Sequence, residues 1–133
     1  MKTKHDIVAN WLPRYTGTPL EEFGKYILLV NFSNYVRLFA EWHNVAVRGE
    51  DRPMLNATAN GISIINFGMG SAGAATIMDL LGAIQPKACL FLGKCGGLKK
   101  KNKIGDGSSR RIARYRSNGV CLNDNEKRCD NTT

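Results

Sequence analysis

Ile62-Ser63-Ile64-Ile65-Asn66-Phe67-Gly68-Met69-Gly70-Ser71-Ala72-Gly73 is the stretch on which the fold turns. An apolar run rich in β-branched residues predicts a strand, and it feeds straight into a glycine-rich turn. A second copy of this grammar follows one helical segment later. Ala88-Cys89-Leu90-Phe91-Leu92 is again a strand, and Gly93-Lys94-Cys95-Gly96-Gly97 again a glycine turn. If the strands are parallel, both turns emerge at strand carboxyl ends, where open α/β sheets bind ligands. Glycine there brings bare backbone N–H groups close to an anion.

Upstream, residues 7–12 suggest a short helix, with Pro13, Gly17 and Pro19 as breakers. Tyr26-Ile27-Leu28-Leu29-Val30 is a continuous apolar run, as in a strand buried on both faces. Residues 31–34 offer turn and N-cap side chains. Tyr35, Leu38, Phe39 and Trp42 then fall on one face of a helix. Residues 45–47 suggest a short strand before the polar turn 48–53. Asn60-Gly61, between the runs 54–58 and 62–67, predicts a hairpin. Past the first glycine turn, Ala74, Ile77, Met78 and Leu81 share a helical face, with Ser71 as N-cap, Gly82 as C′ and Pro86 as stop. Strand 88–92 completes a βαβ unit. The fold class is therefore α/β, a mixed sheet of about five strands with flanking helices.

The chain has 133 residues, 43% hydrophobic and 23% charged, with a formal net charge of +8. These values suit a soluble globular domain or part of one. No apolar run approaches the roughly 18–20 residues of a membrane span, and no secretory leader is evident, so a cytoplasmic location without membrane partners is expected. Four cysteines and two histidines show no metal-binding spacing, so no metal is expected and the cysteines read as reduced and structural. Residues 1–107 carry 13 basic and 8 acidic side chains, and four of the basic ones are Lys99, Lys100, Lys101 and Lys103. Residues 108–133 add six basic and three acidic side chains but only four aliphatics, Ile112, Ala113, Val120 and Leu122. With no sustained period, that segment is expected to be a disordered basic tail.

Three chemistries compete for the glycine turns. Gly68 to Gly73 matches G-x-G-x-x-G after a strand and before a helix, the setting of a nicotinamide dinucleotide site. That fingerprint also requires an acidic residue about 20 positions on, and the sequence there is Phe91-Leu92-Gly93-Lys94. Lys94 beside exposed N–H groups suits a phosphoryl group, or is a surface lysine on a turn. Cys95 as a nucleophile lacks a His partner. The lysine cluster, with basic residues 110–116, could hold nucleic acid or simply be solvated, and nucleic acid is the less expected partner.

Both glycine turns, with Leu98 and Lys103-Ile104-Gly105-Asp106, make the chain resemble the nucleoside phosphorylase/hydrolase superfamily, and within it the AMP nucleosidases. Residues 26–32 with Tyr35-Val36 resemble the entry to that catalytic domain, and the resemblance extends over residues 7–107. It implies hydrolysis of AMP to adenine and ribose 5-phosphate without a cofactor, by an enzyme of nucleotide salvage that forms homo-oligomers. It implies that Gly68, Met69 and Gly70 contact sugar and anion, and that Gly93, Lys94, Cys95 and Gly96 line the base and phosphate side. Asn31 and Ser33 match the first phosphate loop loosely, and Arg37 lies one turn farther on, within reach of an anion or a plain surface charge. Where phosphorylases carry arginine and serine, this chain has Phe91 and Lys94, which favours water over phosphate as nucleophile. The acidic residues that grip the ribose and assist base departure in the family have no match here, and Asp79 and Asp106 are poor substitutes. We therefore read residues 1–107 as the N-terminal part of such a domain and residues 108–133 as disordered or frame-shifted, the whole a truncated chain with little or no activity alone.

Overall fold

The computed structural model describes residues 1–94 together with Lys100, Lys101 and Lys103. The chain divides into two units, Met1–Cys95 and Gly96–Thr133. In the second, the three described lysines are exposed. The expectations placed on Cys95, Gly96, Gly97, Lys99, Asp106 and residues 108–133 lie outside the described residues.

The first unit opens with α1 (Lys4–Thr16), started by a capping box: Asp6 N–H donates to Thr3 Oγ1, and Thr3 N–H donates to the Asp6 carboxylate at 2.9 Å. Those hydrogen bonds hold the Asp6 carboxyl below its ordinary range. Pro13 does not break this helix. It sits in the last turn, where only one backbone bond is lost, and Thr16 Oγ1 adds a bond to Leu12 O. The stop is Gly17 in the left-handed region, its N–H on Pro13 O at 2.7 Å.

Four strands form one sheet in the order β2-β3-β1-β4. They are β1 (Tyr26–Val30), β2 (Asn56–Ala59), β3 (Ile62–Asn66) and β4 (Ala88–Phe91). β2 and β3 are an antiparallel hairpin whose turn, Asn60-Gly61, has positive φ at both residues, the I′ geometry that Asn-Gly favours. β1 runs parallel to β3 on one side and to β4 on the other. One expectation changes here. Residues 45–47 form no strand; Arg48 alone bridges to Asn56. The strands that precede the two glycine turns are not neighbours, because the chain crosses past β1 between them.

Helices cover both faces. On one, α2 (Ser33–His43) packs Val36, Phe39 and Ala40 against Val30, Ala57, Ala59 and Ile64. On the other, α1 and α3 (Gly70–Leu80) bring Leu12, Ile77 and Leu80 against Ile27, Leu29 and Ile65. The expected helical stripes are each rotated slightly. On α2 the buried set is 36, 39 and 40, while Trp42 is 74% exposed. On α3, Leu80 replaces Met78, and Leu81 is buried from the 3-10 turn Leu81–Ala83 that follows. Neither helix has a side-chain N-cap: Phe32 and Met69 hold those positions, so residues 31–34 and Ser71 do not serve as expected. Gly82 lies inside the 3-10 turn, and the positive φ before Pro86 belongs to Gln85.

β1 and β3 are adjacent and parallel, yet β1 feeds α2 on one face and β3 feeds α3 on the other. Their carboxyl ends therefore flank a topological switch point, where an open sheet leaves a crevice.

Candidate functional site at the carboxyl edge of the sheet

Three loops meet at this edge: residues 31–33 after β1, 67–70 after β3 and 92–94 after β4. Backbone bonds tie both outer loops to the central strand, Phe67 N–H to Val30 O at 3.1 Å and Leu92 N–H to Leu29 O at 2.8 Å. The glycine turns thus stand on either side of the β1 end, two strand spacings or roughly 10 Å apart.

In the first turn Gly68 and Gly70 have φ of 82° and 90°, conformations that an L side chain resists. A Cβ at either position would point into open space, so the constraint is the backbone path and not crowding. Gly70 begins α3, whose first amides face the edge without intrahelical partners and favour an anion. Asn66 holds this turn: its Oδ1 accepts from Gly68 N–H at 3.0 Å, and its Nδ2 donates to Ser33 Oγ at 3.1 Å.

On the α2 side of β1, Phe32, Ser33, Asn34, Tyr35 and Lys94 line a cavity of about 300 Å³. Lys94 Nζ lies 5.6 Å from the Phe32 ring centre and 5.7 Å from that of Tyr35, within cation–π range. It has no carboxylate partner among the described residues. On the opposite face the rings of Phe67 and Phe91 meet at 5.7 Å, and the Phe91 ring lies over Gly93. Gly93 and Lys94 therefore touch opposite faces of the sheet. A larger cavity of about 400 Å³, lined by Thr18, Glu22, Val45, Ala46, Arg48 and Thr58, lies on the β2 flank and contains none of the expected site residues.

The structure thus gathers Asn31, Ser33, Gly68, Met69, Gly70, Gly93 and Lys94 at one edge. Arg37 is engaged elsewhere, in an exposed ion pair with Glu50 at 2.9 Å. Cys95 and Gly96 lie outside the described residues. Asn31 Oδ1 is buried with no hydrogen-bond partner among the described residues, a cost of the kind found at functional sites. Asn66 was not singled out by the sequence, although a polar residue closing an apolar strand just before a glycine turn was the available signal. No carboxylate belongs to the three loops. Asp79 is paired with Lys4 at the far end of α3, at 3.0 Å. Among the described residues no group of three His, Cys, Asp or Glu could hold a metal, and burial pushes the Cys89 thiol upward, away from nucleophilic character.

No family model matches the chain. The AMP nucleosidase of Escherichia coli strain K12 is 28% identical to it over a 132-residue alignment covering 71% of this chain and 27% of that protein. That of strain O157:H7 gives the same figures. The crystal structure of AMP nucleosidase from Bacteroides thetaiotaomicron VPI-5482 is 64% identical with a TM-score of 0.71, covering 73% of this chain and 42% of that one. The chain is homologous to the AMP nucleosidases. It spans about a quarter of the curated relatives and under half of the solved one. No described helix is long and apolar enough to cross a membrane.

The strand order of this AMP nucleosidase homologue also bears on the dinucleotide alternative. In that fold the strand after the glycine-opened helix lies beside the strand before it, which brings the acidic residue to the ribose. Here β1 separates β3 from β4, and the β4 end carries Lys94 instead of a carboxylate.

Proposed function

We propose that this edge is the ribose-phosphate cradle of an AMP nucleosidase-type site, the activity being hydrolysis of AMP to adenine and ribose 5-phosphate. One observation carries the reading: the first glycine turn, two helix N-termini, Gly93 and Lys94 open onto one edge, and among the described residues its three loops hold no carboxylate. Such an edge attracts a dianion and leaves peptide N–H groups for sugar and phosphate. Gly68, Met69 and Gly70 line the β3 side, the Gly68 N–H itself being held by Asn66, with Asn31 and Ser33 at the centre and Gly93 and Lys94 on the β4 side.

Cleavage needs more than this. Water must add at the anomeric carbon as the glycosidic C–N bond breaks through an oxocarbenium-like state, and the departing adenine must receive a proton. Nothing in the three loops can donate that proton as a carboxylic acid. The described edge binds and orients, and the acid-base groups must come from elsewhere. The same reading places the protein in cytoplasmic purine nucleotide salvage, as a homo-oligomer.

The test is incubation with AMP, following adenine by chromatography, beside calorimetric titration with AMP and adenosine. AMP should bind more tightly than adenosine. Adenine release should fall at least about 100-fold below that of the Bacteroides enzyme, the usual consequence of a missing general acid. Release at a comparable rate would show that the chain supplies its own acid. Equal affinity for AMP and adenosine would remove the phosphate from the site.

A further inference from the structure

Asn66 has a role that neither homology nor the glycine motif assigns. Its orientation is fixed by chemistry: Gly68 N–H can only donate, so the atom 3.0 Å away must be Oδ1, and the amide nitrogen must face Ser33. A serine hydroxyl has one proton and two lone pairs. Asn66 Nδ2 occupies one lone pair at 3.1 Å, so the Ser33 proton is not used between these two residues. Ser33 makes no other side-chain hydrogen bond among the described residues, and it lines the same cavity as Lys94. Asn66 stands opposite Val30 in the β1–β3 register, so this link spans the crevice at the switch point.

We propose that Asn66 is a positioning residue that makes Ser33 a hydrogen-bond donor toward a phosphoryl group while closing the first glycine turn through Gly68. The proposal rests on the nucleotide-binding reading of this edge. A carboxylate in the same place would invert the polarity. It would still accept from Gly68 N–H, but it would also accept the Ser33 proton that an anion needs. Asn66→Asp therefore separates geometry from polarity, whereas Asn66→Ala removes both.

The experiment titrates the full chain with ribose 5-phosphate and with adenosine, and follows hydrogen exchange at the Gly68 amide. For ribose 5-phosphate, N66A should weaken binding by about 10-fold, the worth of one charge-assisted hydrogen bond. N66D should weaken it more than N66A while keeping Gly68 protected, and adenosine should be unaffected by N66D. N66D binding ribose 5-phosphate as tightly as the parent chain overturns the proposal, as does Gly68 protection that survives N66A. If N66D does not fold, S33A takes its place, with about 10-fold weaker ribose 5-phosphate binding expected and unchanged affinity fatal. A parent chain that binds neither AMP nor ribose 5-phosphate sinks the nucleotide reading itself, and this role with it. A parent that binds both while N66D matches it sinks only the role of Asn66.

Discussion

β3 and β4 flank the same strand in matching register, yet they live in different surroundings. Leu28 stands between Ile64 and Leu90, and Leu29 between Ile65 and Phe91. Ile64 is 2% exposed and Leu90 59%; Ile65 is 0% exposed and Phe91 45%. Side-chain chemistry does not explain the contrast, since all four are large and apolar. The cover does: α2 lies over β2 and β3, α1 and α3 lie beneath β1 and β3, and nothing described lies over the α2 side of β4. An apolar run specifies a strand, but the helices that reach it decide whether it is core.

The largest effect should separate these two flanks. Ile65→Ala removes a fully buried side chain from the centre of one cluster and should cost about 4 kcal/mol by denaturant melting. Phe91→Ala, at the half-open flank, should cost about 1–2 kcal/mol, mostly through the contact with Phe67. The first is a large share of the ~5–15 kcal/mol that holds a domain together, and the second is tolerable. Equal losses would break the comparison. They would mean that β4 is covered in solution, and the Phe91 penalty should then grow with protein concentration.

The same contrast explains what could be read in advance. β1, β3, the Asn-Gly hairpin, the first glycine turn and the edge it shares with Gly93 and Lys94 were legible, because each rests on local chemistry: branched apolar runs, positive-φ residues, strand direction. Strand order was not. Adjacency of β3 and β4 is the simplest closure of a βαβ unit, and only tertiary packing inserts β1 between them. The exact helix faces were not legible either. The expected stripe of 35, 38, 39 and 42 and the buried set of 36, 39 and 40 are offset by one position, and the choice depends on where the sheet lies. At the site, glycines announce themselves, whereas Asn66 acts through two hydrogen bonds that have no sequence period.

The two glycine turns repeat the comparison on a smaller scale. Gly68 is demanded by its own backbone, with φ at 82° and open space where a Cβ would go. Gly93 is demanded by a neighbour instead: its φ is not in the left-handed region, and a Cβ would fall 2.9 Å from the Phe91 ring. Gly68→Ala should therefore cost about 1–2 kcal/mol, the penalty of holding a side chain in that conformation. Gly93→Ala should cost less than about 1 kcal/mol, because a half-exposed ring can swing away. The Phe67 and Phe91 ring resonances should report that swing in G93A and stay in place in G68A. Reversal of the two outcomes would mean that the second turn, not the first, is the rigid one.

The smallest effect probes the covered side of β4 alone. Cys89 opposes Ile27 and packs on the cluster beneath β1, and partial burial pushes its thiol above the ordinary value of 9.0. The sign follows from proton counting. Below that value both folded and unfolded chains keep the proton, and Cys89 contributes no pH dependence. As pH rises past it, the unfolded chain ionises first and binds fewer protons than the folded one, so stability falls until the folded thiol also titrates. Cys89→Ala should remove this component, making the loss of stability from pH 8 to pH 10 shallower than in the parent chain. Identical slopes would mean that water reaches Cys89 as freely as it reaches Leu90, and β4 would then be open on both faces.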